Sequence, residues 1–240
     1  MSLDDPRPLL LADPIAEGLA LRILRFDPRQ YVDADFARHG VTLPSALNRA
    51  SRARRCEFLA GRRCAHAALE SLDYGRPDIP IGHDGAPDWP TDCNGSISHS
   101  AYWAAAVVSG GQCARPGVDC ESIVDDSAFR DMAGLVTTEG ELESAERALG
   151  DRHLALTLLF SAKESAFKAL RPEDRAGCDF SSFRIALVGA GSSTFQVSDI
   201  RPSRQTCIYR GHYMHLDPTT LFTVVVSNDE LPDPDCQQTP

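Results

Sequence analysis

Apolar and polar positions alternate along Leu19–Phe26 (LALRILRF), which predicts a first strand. From Leu43 to Tyr74 the pattern becomes that of a long helix. Pro44 stands at its start, no proline interrupts it, and Gly75 follows as a stop. Residues 75–95 are rich in Gly, Pro and Asp and predict a loop. Gly95–His99, Trp103–Ser109 and Gly117–Glu121 read as short strands with turns between them. A second helical region runs from about Thr138 to Leu170, with a break expected near Gly150–Asp151. Further strands are expected at Phe183–Val188, Thr194–Val197, Thr206–Leu216 and Leu221–Val226.

The order strand, helix, strands, then helix, strands recurs at about half the chain length. It predicts an α+β fold of two similar α/β halves in a pseudo-twofold arrangement, residues 1–115 and 116–228, with a ligand cleft between them. The polar, proline-bearing stretch 229–240 reads as a flexible tail.

Composition narrows the function. Thirty-four acidic against twenty-four basic residues give a net charge of −10, which argues against a general nucleic-acid binder. The longest apolar run, Tyr102–Val108, is too short to span a bilayer. An opening with Asp4 and Asp5 and no basic stretch predicts no export signal. The eight cysteines form no CxxC pair and no zinc-spaced cluster, so reduced thiols in a cytoplasmic protein are expected. Of the twenty-four basic residues twenty-two are arginine; the two lysines, Lys163 and Lys168, lie five residues apart. Drift towards arginine codons explains the scarcity but not the clustering. An ammonium is compact and can titrate when its pKa is lowered, whereas a guanidinium stays charged.

Four groups of residues could carry chemistry. Asp119 and Glu121 in GVDCES share one face of a strand, and two carboxylates so placed repel unless a cation lies between them. Alone, the pair reads as a solvated strand edge. In FSAKESAFKAL, Glu164 and Lys168 stand at i and i+4 on a helix, while Phe160, Phe167 and Leu170 can pack on a core. The plain alternative is an ordinary helix-stabilising ion pair. Ser98 and His99 lie where a turn meets a strand and could offer a hydroxyl, an imidazole and backbone N–H groups to a phosphate; no GxSxG elbow supports a hydrolase triad. Arg49, Arg52, Arg55, Arg62 and Arg63 fall within about 140° of arc on the first helix, with Arg54 off that stripe. Such a stripe is commonly a solvated face, and here it is also a positive patch able to hold a phosphate.

Taken together and in this order, the groups resemble a family. The AGRRCAHAAL, WP…GSISHS, GVDCE and FSAKESAFKA segments span about 110 residues (60–169), and D-x-E followed some forty residues later by F-S-x-K-E-x-x-x-K is specific. The chain resembles the 4′-phosphopantetheinyl transferases, in particular the larger monomeric type that serves surfactin- and enterobactin-like synthetases.

The resemblance implies transfer of the 4′-phosphopantetheine group from coenzyme A to a serine of an apo acyl- or peptidyl-carrier protein, releasing 3′,5′-ADP. It implies Asp119, Glu121 and Glu164 as ligands of one Mg²⁺, for which Mn²⁺ could substitute. It implies Ser98, His99 and Lys163 on the coenzyme phosphates, with Arg54 and Arg62 at the adenosine end and the 3′-phosphate. Glu164 or a metal-bound water would take the serine proton, and Lys168 would stabilise phosphoryl charge or protonate the leaving group. Related chains often carry a basic residue before the WP; here the loop reads GHDGAPDWP, so either His83 substitutes or the arginines act alone.

Two rival readings are a coenzyme A- or carrier-binding protein without turnover, and a Mg²⁺-dependent nucleotide phosphohydrolase. Carriers present acidic helices, so an acidic enzyme needs a basic or apolar docking surface. Phe129, Met132, Leu135 and Val136 recur at helical spacing beside the metal motif and are candidates for it; the alternative is that they fill the core.

Overall fold

Two antiparallel sheets carry the chain. The computed structural model describes residues 5–9, 18–111, 114–138, 140–189, 191–202 and 207–228, so the expected tail lies outside the described residues. The first sheet contains β1 (Arg7–Pro8), β2 (Leu19–Arg25), β3 (Cys93–His99) and β4 (Trp103–Gly110), ordered β1-β2-β4-β3. The second contains β5 (Ala114–Ser122), β6 (Phe183–Leu187), β7 (Thr194–Asp199), β8 (Cys207–Asp217) and β9 (Thr220–Asn228), ordered β5-β9-β8-β7-β6. The helices are α1 (Ala34–Arg38), α2 (Arg52–Glu70), α3 (Asp126–Val136), α4 (Glu141–Leu149) and α5 (Arg152–Ala169). The fold is α+β.

The expected helix over 43–74 is shorter than its pattern suggested. Ser45–Leu47 form a single 3₁₀ turn, and α2 begins only after Ser51, whose extended backbone lets its Oγ accept the Arg54 N–H at 3.1 Å. Arg49 therefore precedes the helix. The break near Gly150 is present, because Asp151 caps α5 by accepting from the N–H groups of His153 and Leu154.

Side-chain alternation assigns each sheet face. Ala20, Leu24, Ala104, Ala106 and Val108 pack under α2 with Leu59, Ala65 and Leu69. The opposite face, with Leu21, Ile23, Trp103, Ala105 and Val107, meets Val118, Cys120, Phe222 and Val224 of the second sheet. The far face of that sheet, with Leu221 and Val225, lies against Leu158, Leu159 and Ala162 of α5. The layers thus run helix, sheet, sheet, helix, and the two parts of the chain share the central apolar layer.

The edges of the two sheets meet along β3 and β5. Ser96 Oγ accepts the Val118 N–H at 3.2 Å and Ser98 Oγ accepts the Cys120 N–H at 3.3 Å, so the strands advance side by side in one direction. On β3, Ser96 and Ser98 turn towards β5 while Ile97 packs on the α2 side. This seam positions the chemistry.

Candidate active site

Gly117 makes the site possible. A Cβ there would stand 1.9 Å from the Ser165 carbonyl oxygen, so only glycine lets α5 lie directly on β5. With the helix that close, Lys168 Nζ reaches Asp119 Oδ1 at 2.6 Å. Ser98 Oγ donates to the same oxygen at 2.9 Å from β3, and Lys168 Nζ lies 3.5 Å from Ser98 Oγ. Three elements therefore converge on one buried carboxylate.

Electrostatics brings Glu121 and Glu164 into the same group. Burial pushes the Glu121 carboxyl up to about 8, with Asp119 and Glu164 adding like-charge repulsion and Lys168 opposing. Burial likewise raises Glu164, eased by Lys168 and reinforced by Asp119. Burial works against the Lys168 ammonium, yet Asp119, then Glu164 and Glu121, outweigh it and hold its pKa above the ordinary lysine value. The titratable ammonium that motivated interest in this lysine is thus a firmly charged one.

The imidazole of His99 is held from α2. Arg54 Nη1 stands 2.6 Å from His99 Nε2, while Glu57 Oε2 is 3.6 Å from Nδ1 and 3.4 Å from Arg54 Nη1. Burial lowers the His99 pKa, with Glu57 opposing and Arg54 and Lys168 adding to it. A neutral ring accepting at Nε2 from Arg54 satisfies these contacts.

Two expected phosphate ligands are elsewhere. Lys163 is fully buried and donates to Val136 O and to Glu141 Oε2, each at 2.8 Å. Its neighbour Glu164 faces the cleft, but one residue further back the helix has turned by about 100° and the ammonium points into the second core. Arg62 is buried too: its Nε donates to Ile79 O at 2.7 Å, its Nη2 to Pro80 O at 3.3 Å, and its guanidinium covers the Phe58 ring at 4.3 Å. Neither side chain reaches the seam in this arrangement.

The arginine stripe is likewise structural. Arg52 donates to Tyr31 O, Arg55 pairs with Asp33 at 2.6 Å and Arg63 with Asp5 at 3.2 Å. Among the described α2 arginines, Arg54, off the stripe, is the one that meets His99.

A cleft of about 760 Å³ opens beside the seam, walled by the Gly82–Trp89 loop, β3, the start of β5 and the end of α5. Glu164 and Lys168 form one side, and His83 is among the loop residues that line it. The cleft also takes in Trp89, Phe167, Arg115 and Arg175, which sequence reasoning did not assign to the site. Trp89 was visible inside a quoted motif; the two arginines stood in no motif.

Among the described residues no three His, Cys, Asp or Glu side chains stand as a ready-made metal centre. The donors nevertheless suit a hard divalent cation. Asp119 Oδ2 is buried without a hydrogen-bond partner, and burial, with repulsion from Asp119, raises the pKa of both neighbouring glutamates. Oxygen donors, an ammonium, a hydroxyl and an imidazole gathered beside an open cleft are groups suited to a phosphorylated ligand.

Comparison with known proteins agrees. The 4′-phosphopantetheinyl transferase N-terminal domain matches residues 43–109, and the 4′-phosphopantetheinyl transferase superfamily matches residues 115–221. Enterobactin synthase component D of Escherichia coli (strain K12) is 39% identical over 164 residues, which is 67% of this chain and 75% of that protein. The 4′-phosphopantetheinyl transferase Svp of Streptomyces mobaraensis is 36% identical over 136 residues, covering 55% of this chain and 54% of its own. The 4′-phosphopantetheinyl transferase Npt of Nocardia iowensis is 33% identical over 150 residues, 61% of each. The chain belongs to the 4′-phosphopantetheinyl transferase superfamily.

Proposed function

We propose that this protein moves the 4′-phosphopantetheine group of coenzyme A onto a serine of an apo acyl- or peptidyl-carrier protein and releases 3′,5′-ADP. Family membership supports the reaction, and the observation that carries the site is the convergence of Lys168 and Ser98 on Asp119 with Glu121 and Glu164 beside it. Asp119, Glu121 and Glu164 would hold Mg²⁺, which when bound neutralises charge on the pyrophosphate. Glu164, which lines the cleft, would take the proton of the carrier serine. A bond then forms from the serine oxygen to the β-phosphorus as the bond to 3′,5′-ADP breaks. The Lys168 ammonium, Ser98 and His99 stabilise the phosphoryl oxygens, and Arg54 extends the positive edge towards the nucleotide. No nucleophile from the enzyme is needed, so catalysis is positioning and electrostatics.

Among the described residues no helix is long and apolar enough to cross a membrane. We take the protein as a cytoplasmic monomer acting on carrier domains of siderophore, peptide or polyketide synthesis; the name of its relative enterobactin synthase component D supports the siderophore part of that reading. The test is mass spectrometry of an apo carrier incubated with enzyme, coenzyme A and Mg²⁺. A gain of one phosphopantetheine with 3′,5′-ADP release is expected. Release of 3′,5′-ADP without carrier modification would instead establish a phosphohydrolase.

A further inference from the structure

A second close approach sets a carboxylate beside His99. A Cβ on Gly61 of α2 would stand 2.7 Å from Ile97 Cγ2 of β3, so the helix lies low on that strand. Glu57 is one helical turn before Gly61, about 6 Å along α2, and His99 is two residues beyond Ile97, about 7 Å along β3. Ile97 and His99 share a strand face, and helix and strand run in opposite directions, so Glu57 and His99 come abreast. The Glu57 side chain is 22% exposed, with its Oε2 3.4 Å from Arg54 Nη1 and 3.6 Å from His99 Nδ1. On the other side of the ring Arg54 Nη1 stands 2.6 Å from Nε2. A guanidinium only donates, so Nε2 carries the lone pair and the proton of the neutral ring sits on Nδ1, facing Glu57. The other tautomer would turn a lone pair to the carboxylate and an N–H to the guanidinium. An Arg and a Glu at i and i+3 are an ordinary helix pair, but this carboxylate also serves a second element. Burial lowers the His99 pKa and Glu57 is the strongest influence against that; Arg54 and Lys168 add to the lowering and Asp119 opposes it.

We propose that Glu57 is a positioning residue for the transfer reaction, holding the His99 ring by its Nδ1 proton so that the ring meets a phosphoryl oxygen from Nε2. To donate from Nε2 while Nδ1 keeps its proton, the ring takes one proton from solvent and becomes an imidazolium, whose charge the carboxylate balances. Glu57 acts through the ring and not on the substrate, because a carboxylate and a phosphate repel. The arrangement is that of a carboxylate orienting a working imidazole, built here from a helix and a strand that a glycine lets touch. The inference rests on the transferase reading above.

The experiment uses the full chain as wild type, Glu57→Ala, Glu57→Gln, His99→Ala and the Glu57→Ala/His99→Ala double variant. Nitrogen-15 shifts of the imidazoles are read by NMR, with His99 identified among the seven histidines by its loss in His99→Ala. Wild type is expected to show a protonated Nδ1 and a lone pair on Nε2. Both nitrogens should become protonated once coenzyme A and Mg²⁺ are added without carrier. Glu57→Ala should show mixed tautomers and no full protonation at the same pH. In transfer assays kcat/KM for coenzyme A should fall by about tenfold in Glu57→Ala, with the KM for the carrier unchanged. Glu57→Gln, whose amide oxygen still accepts from Nδ1, should recover part of the loss. In the His99→Ala background, Glu57→Ala should alter kcat/KM by less than about twofold, because the carboxylate acts through the ring. A wild-type ring protonated on Nε2 alone overturns the proposal whatever the Glu57 variants do. Full transfer by Glu57→Ala, or an undiminished effect in the His99→Ala background, overturns it as well. A wild type that transfers nothing overturns the transferase reading instead, and the ring shifts then still decide whether Glu57 holds His99.

Discussion

Lys168 on α5 and Asp119 on β5 meet at 2.6 Å because Gly117, two residues before the aspartate, lets the helix backbone rest on the strand. The obstacle to any larger residue is a carbonyl oxygen, which cannot rotate away as a side chain would. Gly117→Ala should therefore cost about 3 kcal/mol or more and drive α5 outward, with transfer falling further than the loss of folded protein explains. Denaturant unfolding and kcat measured on the same preparation check this; a fully stable, fully active variant would show that the strand and helix part easily.

Lys168→Arg keeps the charge but replaces a compact ammonium with a wider planar fork in a space shared by Asp119 and Ser98. A loss of about 10²-fold in kcat is expected, with coenzyme A binding mostly retained. Wild-type turnover would return Lys168 to codon drift.

The carboxylates should respond as a set. Asp119→Ala, Glu121→Ala and Glu164→Ala are each expected to abolish transfer at low millimolar Mg²⁺, while circular dichroism shows the fold retained. Calorimetric titration with Mg²⁺ in the presence of coenzyme A should lose its heat in all three. Near-normal turnover by Asp119→Ala would remove Asp119 from the metal set.

Lys163 is predicted to matter through stability. Its Nζ donates to Glu141 Oε2, whose carboxylate also accepts from the Thr138 N–H and hydroxyl and from the Ile185 N–H. Lys163→Met leaves that buried carboxylate without its cation and should cost about 3–5 kcal/mol. Thermal unfolding measures it, and the KM for coenzyme A of the surviving folded enzyme should stay near wild type. A raised KM with unchanged stability would restore Lys163 to the phosphate contact expected from the family resemblance.

The apolar run on α3 divides. Phe129 and Val136 are buried, Met132 is half-buried, and Leu135 is 75% exposed. Val136→Asp should collapse stability, whereas Leu135→Asp should leave the melting temperature unchanged and raise the KM for the carrier by at least about fivefold. An unaltered carrier KM in Leu135→Asp would move the docking surface off this helix.

The sequence by itself determined the alternation of strands and helices, since periods of 2 and 3.6 record which face of each element is apolar. It also determined that Asp119 and Glu121 share a strand face and that Glu164 and Lys168 share a helix face, because local backbone geometry sets those relations. Only the tertiary structure decided where the long cations go. Lys163 and Lys168 are about 140° apart around one helix, and which side meets a core and which a cleft depends on the neighbours packed there. Five arginines formed a regular stripe in sequence, yet those on α2 satisfied carbonyls and aspartates of their own half, while Arg54 outside the stripe reached His99. Arg115 and Arg175 lie sixty residues apart in no shared motif and became neighbours through the packing of α5 on β5. Periodicity is a property of one element with itself; a site drawn from several elements is settled by close packing between them.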